Sequence, residues 1–355
     1  MDGYPVYLLG SRFEHHARHS GYEGFSRYLG TPSKAPVSFR YIPGYWGWRI
    51  DHAVGSLARR PYYTAAALLT EISISSRMIT KRDVLYHAIY GDTDLWMLPR
   101  VSRWTRNRLV ATFHEPASTL EIMAVDSRIV ADLAGVILVA EGQRVYFENL
   151  IDPERIVVVP HGVDTEFFRP PAQCTSRPVC ITVGSHLRDF STLKRAMEMI
   201  WEVKPATEFI AVGLRHSNDS PARFVFPPND TRIQFFERIS DEELKQKYQT
   251  ASVALFSFQD ATVNNAMLES MACGLPVVAT DVGGIREYLS DNAGILCPPK
   301  DPSALANGVC KVFDDLPLAR EMSEASRARA VQFSYPVIAA KMSQVYSDVL
   351  EIIPR

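Results

Sequence analysis

The sequence predicts a two-domain α/β protein, each domain a parallel sheet wound on both faces by helices. Three observations predict it. Short apolar runs alternate with helix-period patterns along the chain, the mark of β–α units. The runs fall into two sets of six. Between the sets lies RPPAQCTSRP, Arg169–Pro178, proline-rich and without periodicity, which reads as a linker. At 355 residues the chain has room for two domains of ordinary size.

In order, the first-half strands are Val6–Leu9, Val37–Ile42, Val84–Ile89, Leu109–Phe113, Gly135–Ala140 and Ile156–Val159. The second-half strands are Val179–Val183, Phe209–Val212, Ile233–Phe236, Val253–Phe256, Pro276–Ala279 and Gly294–Leu296. Tyr335 to Ile353 reads as a helix with an apolar stripe of Val337, Ile338, Met342, Val345, Tyr346, Val349 and Leu350. The expected division is 1–170, 171–335, and a last helix over 336–355 that crosses back to the first domain. Open α/β sheets bind ligands outside the carboxyl ends of their strands. Residues just after strands are therefore candidates: His114, the Pro160–Gly162 turn, Gly184–Arg188, Gly213, and Asp260 onward.

Composition narrows the class. A chain 46% hydrophobic and 22% charged is that of a soluble globular protein. A net charge of −2 does not favour nucleic acid as a partner. The charge is uneven: Arg40 to Arg108 holds 11 Lys and Arg against 5 Asp and Glu. That segment reads either as a solvated surface or as a basic face for an anionic acceptor or a membrane. Cysteines 174, 180, 273, 297 and 310 are odd in number and form no CxxC pair, so neither a zinc ribbon nor a disulfide framework is expected. The start, MDGYPVYLLG, shows no signal-type core, and the longest clean apolar run, Leu133–Ala140, is too short to span a bilayer. A cytoplasmic location is expected, with any membrane contact peripheral, on the inner face. The triplet DTD at 92–94 sits in a loop-like YGDTDLW context and reads as incidental. His15, His16 and His19 read as loop. No metal and no cofactor is expected.

The most informative stretch is Asp260–Asp281, DATVNNAMLESMACGLPVVATD. It reads as polar loop, short helix, glycine stop and buried strand. Gly274 suits a left-handed C-terminal cap, and Pro276 bars continuation. A helix opened by Thr262, Asn264 and Asn265 offers backbone N–H groups to an anion such as a phosphate. Glu269, one turn further on the same face as Asn265, suits a diol such as a ribose. Phosphate plus ribose suggests a nucleotide. The alternative is that a capped helix leading to a strand is what any α/β domain contains.

At this point the chain resembles the family 4 retaining glycosyltransferases of the GT-B fold, group 1 glycosyl transferases, with two Rossmann-like domains facing an interdomain cleft. The resemblance runs from about Asp83 to the C-terminus. It rests on ATFHEP at 111–116, VAEGQRVYFE at 139–148, RIVVVPHGVDTEFFRP at 155–170, VGSHLRDFSTL at 183–193, ISDEELKQKYQTASVALF at 239–256, NNAMLESMACGLPVVATDVGG at 264–284 and AGILCPPKDPSALA at 293–306.

The resemblance implies roles. Glu269 corresponds to the second acid of the family's paired-acid motif, which holds ribose hydroxyls, with Leu268 beside it. Thr262, Val263, Asn264 and Asn265 correspond to the loop at the donor sugar and β-phosphate. Arg238 and Ile239 lie in the turn whose backbone reads the base. Gly184 opens the turn at the phosphates, where Arg188 and Lys194 are the cations. His114 lies beside the donor sugar. Gly21, in HSGYEGF, stands for the glycine-rich loop. The chain also departs from the pattern. Ala261 stands where the first acid is expected, eight residues before Glu269, and Asp260 is one position out of register. The turn reads Gly184-Ser185-His186-Leu187-Arg188 rather than glycine followed directly by arginine, and the double glycine near Gly21 is absent.

The implied activity is metal-independent transfer of a hexose from a nucleotide sugar, UDP-glucose or a similar UDP-sugar, to a hydroxyl acceptor with retention. A lipid-linked saccharide in exopolysaccharide assembly fits the basic first half as acceptor. The alternatives are a sugar-nucleotide epimerase or phosphorylase of the same fold, or a non-catalytic nucleotide-sugar binder. No GxGxxG follows any strand, which speaks against a dinucleotide oxidoreductase.

Overall fold

A computed structural model describes residues 5–10, 18–30, 45–172, 177–214, 230–289 and 292–351. The predicted strand Val37–Ile42, together with Cys174, His15 and His16, lies outside the described residues. The chain divides into two compact units. The first takes in Met1–His16, Phe25–His161 and Pro336–Arg355, the second Ala17–Gly24 and Gly162–Tyr335.

The first unit carries a parallel sheet of β1 (Val6–Leu9), β2 (Leu85–Ala88), β3 (Arg108–Phe113), β4 (Gly135–Leu138) and β5 (Ile156–Val158), in that spatial order. Parallel strands are covered on both faces, so they appear in the sequence as continuous apolar runs. Its helices are α1 (Tyr45–Ala58), α2 (Ala65–Thr80), α3 (Gly91–Asp94), α4 (Leu98–Trp104), α5 (Ala117–Ile122), α6 (Ser127–Val130) and α7 (Arg144–Phe147). Ile74, Met78, Tyr86, Phe113 and Phe147 lie in its core.

The second unit carries β6 (Val179–Val183), β7 (Glu208–Val212), β8 (Ile233–Phe236), β9 (Val253–Phe256), β10 (Val277–Thr280) and β11 (Gly294–Cys297). Its order is β11-β10-β9-β6-β7-β8, all parallel. Its helices are α8 (Phe190–Val203), α9 (Asp241–Thr250), α10 (Asn265–Ala272), α11 (Ile285–Tyr288), α12 (Pro302–Asp314) and α13 (Leu316–Val331). The last helix, α14 (Tyr335–Glu351), belongs from Pro336 on to the first unit. It buries Ile338, Met342, Val345, Tyr346 and Val349 at helical spacing, whereas Val337 faces out. Tyr346 meets His87 at 2.7 Å, and the other His87 ring nitrogen meets Thr112 at 2.7 Å. Burial pushes His87 down to about 3, so it is a neutral core group.

Three expectations are corrected. The boundary falls at His161/Gly162, not at residue 170. Val163 bridges to Ser334, and Arg327 donates to the carbonyls of Thr165, Phe168 and Ala272, so 162–170 is fastened to the second unit. The segment Ala17–Gly24 also belongs there. Finally, Arg60 is no part of a basic surface. It is buried and donates to the carbonyls of Asp92, Leu95 and Met123.

Candidate functional site

The second sheet changes winding direction at β6, whose neighbours are β9 and β7. A crevice opens where strand order reverses, at the carboxyl ends of the strands. The loops leaving those two strands are 184–189 and 257–264, and they are tied together. Asp189 N–H donates to Ser257 O at 2.9 Å and Gln259 N–H to Leu187 O at 2.8 Å, while Arg188 bridges Phe258. Gly184 at φ +84° and Leu187 at φ +51° give the turn its shape. Asp189 then caps α8 by accepting from Thr192 N–H at 3.1 Å.

Arg188 is seated behind the loop rather than in front of it. It is 3% exposed. Its Nη2 donates to Val183 O at 2.6 Å and to Asn264 Oδ1 at 3.2 Å, and its guanidinium lies 4.3 Å from the Phe258 ring centroid. Nε and Nη1 have no hydrogen-bond partner among the described residues. Burial pulls the group down to about 9. The charge reaches the loop through Asn264 and through a low-dielectric interior. Lys194, the second expected cation, is half-buried in the second turn of α8.

Asn264 is the N-cap of α10, accepting from Met267 N–H at 3.0 Å. The amides of Asn265 and Ala266 have no intrahelical acceptor, and the positive end of the helix dipole lies there. Val263 and Asn265 are half-buried beside them, and Leu268 is buried in the helix. Thr262 is buried, with its hydroxyl unpartnered among the described residues. Asp260 turns back on its own loop, its Oδ1 accepting from Ala261 N–H at 2.8 Å. Arg238, at φ +52° and exposed, and half-buried Ile239 precede α9.

Glu269 is 5% exposed and receives a donor on each oxygen: Ser20 Oγ–H at 2.7 Å and Tyr248 O–H at 2.9 Å. Burial pushes its carboxyl up to about 7, with the two hydroxyls opposing the shift. Ser20 is held by its neighbours. His19 N–H donates to Asp241 at 2.8 Å, the His19 ring meets Asp164 at 2.8 Å, and it stacks on Phe167 at 3.7 Å. Tyr335 O–H donates to Gly21 O at 2.7 Å, where Gly21 adopts φ +119°. His19 is therefore a structural pin, not loose loop. Ser20 and Tyr248 are the residues that sequence reasoning missed. Only tertiary contact brings them to Glu269, and no local pattern marks them.

In the first unit, His114 follows β3. Its backbone N–H donates to both Asp92 oxygens at 3.0 Å, and Glu115 N–H donates to Asp92 Oδ1 at 3.2 Å. Its Nε2 meets Ile89 O at 2.8 Å, so Nε2 carries a proton and donates it to that carbonyl. Asp92, the first residue of the DTD triplet, thus has a structural part. Asp92 fastens the turn that presents His114, and burial pushes its carboxyl up to about 7, with Glu115 adding to the shift. Among the described residues no cluster of three or more His, Cys, Asp or Glu is arranged to hold a metal.

Residues 177–315, which contain Arg188, Arg238, Tyr248, the 260–265 loop and Glu269, match the family model described as Glycosyl transferases group 1. The part of the chain that holds the second sheet is thus similar to the group 1 glycosyltransferases. The chain is similar to the D-inositol 3-phosphate glycosyltransferase of Thermobispora bispora, at 24% identity over 70% of this chain and 64% of that relative. It is also similar to the MMP alpha-(1->4)-mannosyltransferase of Mycolicibacterium hassiacum, at 25% identity over 75% and 64%. The chain thus spans just under two thirds of the length of both relatives. Among solved structures, a glycosyltransferase from Rickettsia africae matches with TM-score 0.70 at 17% identity, over 99% of this chain and 100% of that one. Anabaena HepE in complex with UDP and glucose matches with TM-score 0.66 at 16% identity, over 96% and 98%. These likenesses establish the GT-B fold.

The 260–262 loop has one fixed point. Gly283 adopts φ +51°, and a Cβ there would lie 2.0 Å from Ala261 O, while Gly284 N–H donates to that same carbonyl at 2.9 Å. Gly283→Ala is expected to lower stability by at least about 1–2 kcal/mol from the left-handed conformation alone, and to displace the loop. Thermal melting and UDP titration check this. Wild-type binding in a variant that still melts cooperatively would remove Gly283 from the site.

Proposed function

We propose that the chain transfers a hexose from a UDP-linked sugar to a hydroxyl acceptor, with retention at the anomeric carbon. One arrangement carries this reading. The open N-terminus of α10 stands over the buried Arg188 charge, with Glu269 one turn along the helix. The first two elements suit a diphosphate, and the third suits the ribose diol joined to it. Anabaena HepE, whose structure holds UDP-glucose, supports the same donor.

In this scheme the bond from the anomeric carbon to the phosphate oxygen breaks. The acceptor oxygen bonds to that carbon on the same face, and its proton passes to the departing phosphate. Negative charge on the leaving group is met by the α10 amides and the Arg188 field. Lys194 adds a further cation, and Arg238 and Ile239 meet the base. His114 contacts the donor sugar or the acceptor hydroxyl. Gly21 and the 17–24 segment border the donor site. The acceptor class we assign is a lipid-linked saccharide.

A thermal-shift screen across UDP-, GDP- and ADP-sugars tests the donor, since a ligand that binds only the folded state raises the melting temperature. UDP-sugars are expected to give the largest shift. Product analysis with saccharide acceptors then decides the reaction. Release of sugar phosphate, conversion of the donor without acceptor, or binding without turnover would each replace transfer by one of the other readings.

A further inference from the structure

We propose that the outer face of α2 and α4 is a docking surface for an anionic lipid bilayer. α2 is apolar on two sides. Its inner side buries Ile74 and Met78 in the core of the first unit. Its outer side presents Leu69, Ile72 and Ile79, spaced three and seven residues apart and 45%, 50% and 66% exposed. An outward stripe of this kind has no role in folding the unit, whose core lies on the other side.

α4 packs beside α2 and ends in Trp104, 87% exposed. Ile79 and Trp104 line a groove of about 540 Å³ together with Arg82, Arg100 and Arg106. A second groove, of about 370 Å³, contains Arg77 and Lys81. Lys81, Arg82 and Arg100 have no carboxylate partner among the described residues. Arg106 and Arg103 make only exposed pairs, with Asp83 at 3.0 Å and Asp132 at 3.4 Å.

Apolar side chains ringed by cations, with a tryptophan at the rim, match the boundary between headgroups and acyl chains. The stripe and indole enter the boundary while arginine and lysine stay at the anionic surface. A second copy of the chain would set these cations against their own kind. Nucleic acid would leave the Leu69–Ile72–Ile79 stripe without a counterpart. No described helix is long and apolar enough to cross a membrane, so the contact is one of lying on the surface.

The inference deepens the lipid-linked acceptor reading and rests on that reading for its purpose, though not for its geometry. Co-sedimentation with vesicles tests it. The protein is expected to pellet with phosphatidylcholine–phosphatidylserine vesicles at low salt and to stay in solution with phosphatidylcholine alone. The double variant Arg82→Glu/Arg100→Glu should lower the partition about tenfold or more. Trp104→Ala should weaken binding while leaving more of its salt dependence intact. UDP-induced thermal shift on the same variants should stay at the wild-type value, which separates a failure of docking from a failure of the nucleotide reading. Equal partition onto neutral and anionic vesicles, or wild-type partition by the double variant, would overturn the proposal. So would self-association or nucleic-acid retention without vesicle binding.

Discussion

Glu269→Ala is expected to weaken UDP binding by about ten- to a hundredfold, the range for losing hydrogen bonds to a buried charged acceptor. Each Glu269 oxygen already accepts one hydroxyl, from Ser20 or Tyr248, and each keeps a second lone pair. The ribose diol would use that remaining capacity, or take the Ser20 position. pH gives the sharper readout. The carboxyl is pushed up to about 7 by burial, so it is largely protonated below that pH. A protonated carboxyl spends one oxygen as a donor and is a poorer acceptor for a diol. UDP affinity should therefore rise with pH through about 7 and flatten above it, and Glu269→Gln should abolish that rise. Stability runs the other way. A carboxyl raised in the folded state stabilises fully below its unfolded value, near 4.5, and that contribution is lost as pH rises through about 7. The swing is at most about 3 kcal/mol. Calorimetry giving the same affinity and pH profile for Glu269→Ala and wild type would take Glu269 out of the donor site.

Arg188→Met should separate turnover from stability. Among the described residues the buried guanidinium has no carboxylate partner, and two of its nitrogens make no hydrogen bond. Burying such a charge costs the fold several kcal/mol. Removing it gives that back against two hydrogen bonds from Nη2, each of about 1 kcal/mol. The melting temperature should hold or rise. Turnover should fall by about a hundredfold or more if the charge steadies the leaving diphosphate. kcat should drop further than KM rises, and Arg188→Lys should recover part of it. A lower melting temperature with unchanged kcat would make Arg188 a scaffold for the loop and nothing more.

The β-strands were legible because parallel strands, covered on both faces, leave unbroken apolar runs. Eleven of the predicted strands agree with observed ones to within about two residues at each end; among them Pro276–Ala279 starts one residue early because proline cannot donate to the ladder. The opening of α10 was legible because capping is local: Asn264 needs only its own helix. Other features were not local. Nothing near Arg60 in the sequence shows that three backbone carbonyls surround it. Asp92 gains its meaning from His114, 22 residues on, and Ser20 from Glu269, 249 residues on. Sequence periodicity reports burial along one element. It does not report which distant loop arrives against it.

The contact between Ser20 and Glu269 bears on how this protein can be recombined. The unit that holds the proposed donor-site residues is not continuous in the sequence, since eight residues, Ala17–Gly24, come from far upstream. A chimera that exchanged only 162–335 with a relative would keep the recipient's upstream segment against a foreign Glu269 and Tyr335. A graft that carries 17–24 along with 162–335 transfers the carboxylate with its own hydroxyl partner, and it is the form in which donor preference should move intact.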